Sequence, residues 1–212
     1  MGGSADGFIE TERKYEAEAG FVLPDLSGLA AVAAVTAPRV HRLRAVYVDT
    51  ADHRLLAARI TLRRRTGGTD AGWPLKLPAG VDSRREVHAP LGRSARAVPA
   101  GLAARVSGWT GGQPLLPIAR LDTTRTVRHL TGHDGQVLAE IADDLVTGSL
   151  PVPGQPGWRR AASWRELEVE LGTGSRDLLD AVALQLQEAG ARPSAAASKL
   201  GRLLGTDRAG KG

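Results

Sequence analysis

Cysteine is absent from this chain, which excludes disulfides, thiolate metal ligands and cysteine nucleophiles. Aromatic residues are scarce, at 4%, so the chain is a poor match for a single-stranded nucleic-acid binder, which stacks bases on aromatic platforms. No apolar run approaches the roughly 18 residues that a membrane-spanning helix needs. The opening Met1–Gly7 lacks the apolar centre of a secretory signal. Internal repeats are missing, and the Pro/Gly-rich stretch Pro151–Gly157 is too short to be a domain boundary. These absences predict a cytoplasmic protein without membrane contact, folded as one domain over residues 8–205 between flexible tails at 1–7 and 206–212.

What remains is ordinary in bulk and informative in pattern. The 212 residues are 24% charged and 42% hydrophobic with a formal net charge of +5, a balance that suits anionic partners without naming one. Period-two alternation marks eight strands: Phe8–Tyr15, Val40–Asp49, Ile60–Arg65, Trp73–Leu77, Arg84–Leu91, Arg120–Leu130, Gln136–Val146 and Trp164–Leu171. Turn signals fall between them at Thr66–Thr69, Ala79–Asp82 and Gly132–Gly135. Helical spacing predicts Asp25–Val35, Thr50–Ala58 with Thr50 as cap, Pro99–Trp109, Arg176–Ala189 and Ser194–Leu204. Many close strands with a few covering helices imply an α+β domain built on a curved antiparallel sheet or barrel.

The charges on these strands are sorted. Residues two apart share a strand face, which groups Glu10, Glu12 and Lys14; Arg63 and Arg65; Arg84, Glu86 and His88; and Glu166, Glu168 and Glu170. Lys76 opposes Leu75 and Leu77. A sheet with one solvated face would alternate in the same way without any function. Rows of like charge repel, however, unless counter-charges stand among them. Here some strands carry carboxylates and others guanidinium groups. If the sheet closes with these rows inward, it makes a polar tunnel. Arginine forks and lysine point charges would surround a chain of phosphates, and neighbouring carboxylates would hold Mg²⁺ or Mn²⁺.

Glu10-Thr-Glu-Arg-Lys14 resembles the Glu-x-Glu-x-Lys signature of the CYTH family, the triphosphate tunnel metalloenzymes named for a class of adenylate cyclases and thiamine triphosphatase. The segments that follow resemble the family in order: Tyr47-Val-Asp-Thr50, Leu62-Arg-Arg-Arg65, Leu75-Lys-Leu-Pro78, Arg84-Arg-Glu86, Thr124-Arg125, Glu140–Asp144, Glu166–Glu170 and Ser198-Lys199.

The resemblance implies an eight-stranded antiparallel tunnel with flanking helices, and metal-dependent attack of water on a linear triphosphate. It gives phosphate binding to Lys14, Arg63, Arg65, Lys76, Arg125 and Lys199, to which Arg84 and Arg120 are added, and metal binding to Glu10, Glu12, Glu86, Glu140, Asp143, Glu168 and Glu170. Glu168 or Glu170 would activate water, with Lys14 beside them. Alternation favours Asp144 as the inward aspartate and the motif match favours Asp143, which is kept. Expected ligands are tripolyphosphate, polyphosphate, or a nucleoside or thiamine triphosphate. The alternative is a polyphosphate-binding module with little turnover, since bacterial chains of this type continue into a basic CHAD domain. An adenylate cyclase ranks third for want of a base pocket.

Overall fold

In the computed structural model, which describes residues 8–80, 83–92, 94 and 97–206, ten strands and four helices follow one another along the chain. The strands are β1 (Phe8–Ala17), β2 (Ala34–Val35), β3 (Arg39–Asp49), β4 (Thr61–Thr66), β5 (Trp73–Pro78), β6 (Ser83–Ala89), β7 (Leu116–Thr131), β8 (Val137–Pro151), β9 (Trp158–Leu171) and β10 (Arg192–Pro193). The helices are α1 (Arg54–Ala57), α2 (Ala100–Thr110), α3 (Arg176–Glu188) and α4 (Lys199–Leu204). Among the described residues, no helix is long and apolar enough to cross a membrane.

Eight strands run in the order β1-β6-β5-β4-β3-β7-β8-β9, and β9 pairs back onto β1, so the sheet closes into an antiparallel barrel. The two-residue strands β2 and β10 add to β7 and β1. All eight strands expected from alternation are present, although β7, β8 and β9 extend further than the pattern indicated. Glycine makes one turn possible: Gly67 has φ +80°, and a Cβ there would lie 2.1 Å from the Arg42 carbonyl oxygen. The β7–β8 hairpin turns through Gly132–Gln136 as expected. Val81 and Asp82 of the predicted Ala79–Asp82 turn, and positions 1–7 and 207–212 of the predicted tails, lie outside the described residues.

Two apolar clusters lie outside the barrel wall. Leu178, Leu179, Val182 and Leu186 of α3 pack on Tyr15, Leu130, Ile141, Leu167 and Val169. Leu55 of α1, with Leu102 and Val106 of α2, covers Leu62, Trp73, Leu75 and Val87. A third cluster sits against the inner face, where Leu200 of α4 meets Ala45, Tyr47, Ala119, Leu121 and Val146. The helix expected over Asp25–Val35 is a correction: this segment is a run of turns ending in β2. Its apolar residues still reach the core, since Leu26 and Val32 are buried against the α3 cluster without helical backbone. The helix expected from Thr50 shrinks to α1, whose first amides are taken largely by Asp49. That buried carboxylate accepts from Leu55 N and Leu56 N, both at 2.9 Å, while Thr50 Oγ1 accepts from Arg54 N at 3.0 Å.

Candidate active site

Cross-strand register brings the charged rows together on the lumen side. One row runs Glu12 (β1), Glu170 (β9), Glu140 (β8) and His129 (β7). The next holds Lys14, Glu168, Ala142, Val127 and Arg39, and a third holds Glu16, Glu166, Asp144, Arg125 and His41. On the opposite wall Lys76 stands between Glu86 and Thr61, and Arg63 faces Tyr47. The enclosed cavity measures about 1150 Å³ and is lined by Glu10, Glu12, Lys14, Arg63, Arg65, Lys76, Arg84, Glu86, Arg125, Glu140, Glu168, Glu170 and Lys199. It reaches from the β4–β5 turn (Gly68, Thr69, Asp70) at one end to His53, Arg59 and Ala195 at the other. These segments lie at opposite ends of the strands, so the cavity is a tunnel along the barrel.

One side of the tunnel is acidic. Burial, partly offset by Lys76 and reinforced by Glu86 and Glu12, raises the Glu10 carboxyl to about 7. Burial likewise raises Glu170 to about 7, with Glu10, Glu12 and Glu140 adding repulsion against Lys76. Glu12 behaves differently: burial opposes its charge, but Lys76 and Lys14 outweigh it and hold the carboxyl below its usual range. Lys76 pairs with Glu10 and, at 3.3 Å, with Glu86. Lys14 pairs with Glu12 and, at 3.4 Å, with Glu168. Oxygen-rich carboxylate sets suit hard divalent ions. Among the described residues, however, no three histidine, aspartate or glutamate side chains converge closely enough to ligate an ion as they stand. The lysines occupy the carboxylates instead.

The other side is basic. Arg63 Nη1 donates to Tyr47 Oη at 2.9 Å, and its guanidinium lies 5.7 Å from the centre of the Tyr47 ring. Among the described residues Arg63 has no carboxylate within 4 Å. Arg65 pairs with Asp70, and burial together with Arg63 and Arg125 nearby lowers its proton affinity. Arg125 makes a two-pronged contact with Asp144 (2.8 and 2.6 Å) and reaches Glu168 at 2.5 Å. Lys199, from α4, is buried against Glu166 at 2.6 Å, Glu168 at 2.8 Å and Asp144 at 3.0 Å. Burial disfavours charge on Glu168, but Lys199, Lys14 and Arg125 overcome it and hold the carboxyl well below its ordinary range.

Two predicted site residues do not reach the tunnel. Asp143 points away from it and takes a two-pronged contact from Arg165 at 2.9 and 2.8 Å. Asp144, fully buried, is the inward residue. Strand alternation indicated as much, and the motif match misled because no bulge falls at this point of the β8–β9 register. Arg120 is also outside: it contacts Asp122 at 3.0 Å and lies over the Trp158 ring. It stands an odd number of residues from Arg125, so the same alternation rule excludes it. Arg84 lines one end of the tunnel but donates to the carbonyls of Arg59 and Ala197. Lining residues not singled out from sequence include Arg39, His41 and His129. His129 shares a face with Arg125 by simple alternation, and its ring meets Glu140 at 3.1 Å.

Comparison with known proteins agrees with this geometry. The family model described as CYTH domain matches residues 9–202. Proteins from two strains of Mycobacterium tuberculosis are each 44% identical, over 96% of this chain and 41% of their own length. The chain therefore spans about two fifths of these curated relatives. Among solved structures, a candidate adenylate cyclase from Bacillus halodurans superposes with a TM-score of 0.61 at 18% identity, covering 92% of this chain and 96% of that one. A Hippeastrum protein, considered an adenylyl cyclase and revealed to have a dominant triphosphatase activity, gives 0.53 at 18% identity, covering 93% and 96%. A Pyrococcus horikoshii protein gives 0.51 at 15%, covering 93% and 99%. At such identities the likeness is one of fold.

Proposed function

The chain belongs to the CYTH domain family, and from that premise we propose that it is a divalent-metal-dependent hydrolase of inorganic triphosphate or a related linear triphosphate. The observation that carries this reading is the gathering of sorted charges in one tunnel, lined by Arg63, Arg65 and Arg125 together with Glu10, Glu12, Glu140 and Glu170. Arg63 keeps donors free of any carboxylate, and its charge is firmly held: burial works against it, but Tyr47, Glu86 and Glu168 raise its proton affinity. Phosphate oxygens would take those donors and the ammonium groups of Lys14 and Lys76.

Glu10, Glu12 and Glu170, with Glu86 and Glu140 beside them, would hold Mg²⁺ or Mn²⁺. The fit rests on Glu10 and Glu170, whose carboxyls are raised to about 7 by burial and shared negative charge. When bound, the ion would neutralise charge on the phosphates and polarise the attacked phosphorus. Lys14 and Lys76 would then exchange carboxylate partners for phosphate oxygens. Of the two candidates for accepting the water proton, Glu170 fits better, because a base is most effective near the working pH. Glu168 is committed to three cations and binds protons too weakly.

A second reading, capture of polyphosphate with little turnover, is favoured by the two-ended tunnel, which suits a linear chain longer than three phosphates. A cyclase is disfavoured: among the described residues Tyr47 is the single Phe, Tyr or Trp side chain lining the tunnel, and Arg63 covers it. Orthophosphate release from tripolyphosphate with each divalent ion tests the first reading. Metal-dependent release that is lost in Arg63→Ala supports it. Tight calorimetric binding of long-chain polyphosphate without orthophosphate would instead favour the second.

A further inference from the structure

The tunnel does not account for the positive excess of this chain, because most of its cations are matched by carboxylates. Among the described residues, cations also outnumber carboxylates on one outer face of the barrel. Register sets out three cross-strand rows there: Thr66, Arg44, Asp122, Thr147 and Ser163; then Arg42, Thr124, Leu145 and Arg165; then Arg64, Val46, Arg120, Ser149 and Arg160. The clusters under α3 and under α1 and α2 lie elsewhere on the wall, and Arg42, Arg44, Thr124, Leu145, Arg160 and Ser163 are exposed. The first two rows, with Arg160 of the third, border a groove of about 1020 Å³ whose lining holds six arginines (42, 44, 160, 165, 192 and 202) against three carboxylates, Glu18, Asp122 and Glu16 of the lumen row.

Several of these arginines are engaged: Arg44 with Asp122, Arg165 with Asp143, Arg192 with Glu18 and Arg202 with Glu16. Asp122 is further divided, since Arg120 contacts it too. Arg42 and Arg160 have no carboxylate within 4 Å among the described residues. Arg160 donates to Ser163 Oγ at 2.7 Å, and Ser163 meets Thr147 Oγ1 at 3.2 Å, so guanidinium and hydroxyl donors stand together. Such a set matches repeated phosphate oxygens. Nucleic acid fits less well. Among the described residues Trp164 is the one aromatic residue in the groove lining; its indole N–H donates to Glu166 at 2.5 Å and Arg202 covers its ring. No open stacking platform is left for a base.

The groove also adjoins the tunnel. It reaches Gly67, next to the Gly68–Asp70 segment that forms one tunnel mouth, and Leu43 lines both. Building on the phosphate-binding reading of the tunnel, we propose that this groove is a second anion site, which binds the distal part of a linear inorganic polyphosphate whose terminus occupies the tunnel. Affinity would then rise with chain length beyond what the tunnel alone can hold, because the second contact is intramolecular.

The test compares the wild-type chain with the double variant Arg42→Ala/Arg160→Ala and the charge-preserving Arg42→Lys/Arg160→Lys, using tripolyphosphate, long-chain polyphosphate and single-stranded RNA as probes. Melting temperatures are recorded for each. The alanine variant is expected to hydrolyse or bind tripolyphosphate as wild type does. It should bind long-chain polyphosphate about tenfold more weakly, with a salt slope shallower by about 1.4, at roughly 0.7 per lost phosphate contact. The lysine variant should keep the wild-type salt slope. Unchanged affinity for long-chain polyphosphate in the alanine variant overturns the proposal, as does an equal loss for tripolyphosphate or a loss confined to RNA. If wild-type protein neither binds nor hydrolyses tripolyphosphate, the tunnel reading fails by itself, and the groove is still judged by the long-chain comparison.

Discussion

Arg63 Nη1 and Tyr47 Oη lie 2.9 Å apart on adjacent strands, with the guanidinium over the same phenol ring. The ring is buried among Ala45, Ala119, Leu121 and Leu200, so it cannot follow a drifting partner. Tyr47 therefore fixes a tunnel arginine that has no carboxylate within 4 Å among the described residues. In Tyr47→Phe the packing and the ring face survive while one hydrogen bond to a charged group is lost, worth about 1.5–3 kcal/mol. We expect KM for tripolyphosphate to rise about tenfold or more, with kcat and melting temperature little changed, as read by steady-state phosphate release. A proportional fall in kcat with unchanged KM would contradict this role.

Glu170 and Glu168 make different demands on pH. With Glu170 raised to about 7 in the metal-free tunnel, activity at limiting Mg²⁺ should climb with pH through that value, as the ion displaces the proton from the carboxyl. Glu170→Gln should lower kcat by about 10²–10⁴-fold and remove the rise. Glu168→Gln should retain it, since Glu168 is ionised throughout that range. A pH–rate profile for the two variants separates the roles.

The acidic side also links stability to pH and metal. Glu10 and Glu170 bind protons more tightly folded, at about 7, than at the ordinary carboxylate value of 4.5. The folded state thus holds more protons between those values, and metal-free stability should fall as pH rises from about 4.5 to 7 and then level off. Added Mg²⁺ should restore it, with proton release on binding near pH 7. Urea melts with and without the ion check both, and a flat metal-free profile would count against the pairing.

Lys199 is the counter-ion of three buried carboxylates. Lys199→Met should cost about 3–5 kcal/mol, since one partner is removed and the charges remain. Burial is outweighed at Asp144 and Glu168, whose carboxyls are depressed by Lys199 and Arg125. Their contribution is present above the unfolded values and is lost as pH falls through the folded ones. The variant should therefore acid-unfold at a higher pH than wild type, which circular dichroism can follow.

Alternation carried most of the fold in the sequence, because a closed barrel forces side chains to opposite sides with period two. Glu10, Glu12 and Lys14 could be grouped on that ground alone, and so, separately, could Glu166, Glu168 and Glu170. Where a motif overrode the rule, as at Asp143, or where the rule was not applied, as at Arg120, the assignment missed. The Asp25–Val35 segment shows another limit: Leu26, Leu29 and Val32 have helical spacing, yet Leu26 and Val32 are buried from irregular backbone held by α3. Which carboxylate meets which cation depends on the stagger between strands, as when Lys199 of α4 joins Asp144 and Glu166. Neighbours along the chain carry no trace of that stagger. The outer arginine groove was equally hidden, since its members come from separate strands.

The closure of β1 against β9 has a temporal consequence. Glu12 faces Glu170 only once β9 has been made, and Lys199 arrives later still. Before then a nascent chain on the ribosome would hold neither the carboxylate rows nor their counter-ions in register. Such long-range pairing folds slowly and leaves an open strand edge while it waits. Competence for phosphate should therefore appear abruptly, once β9 and α4 have both been made, rather than grow with the chain.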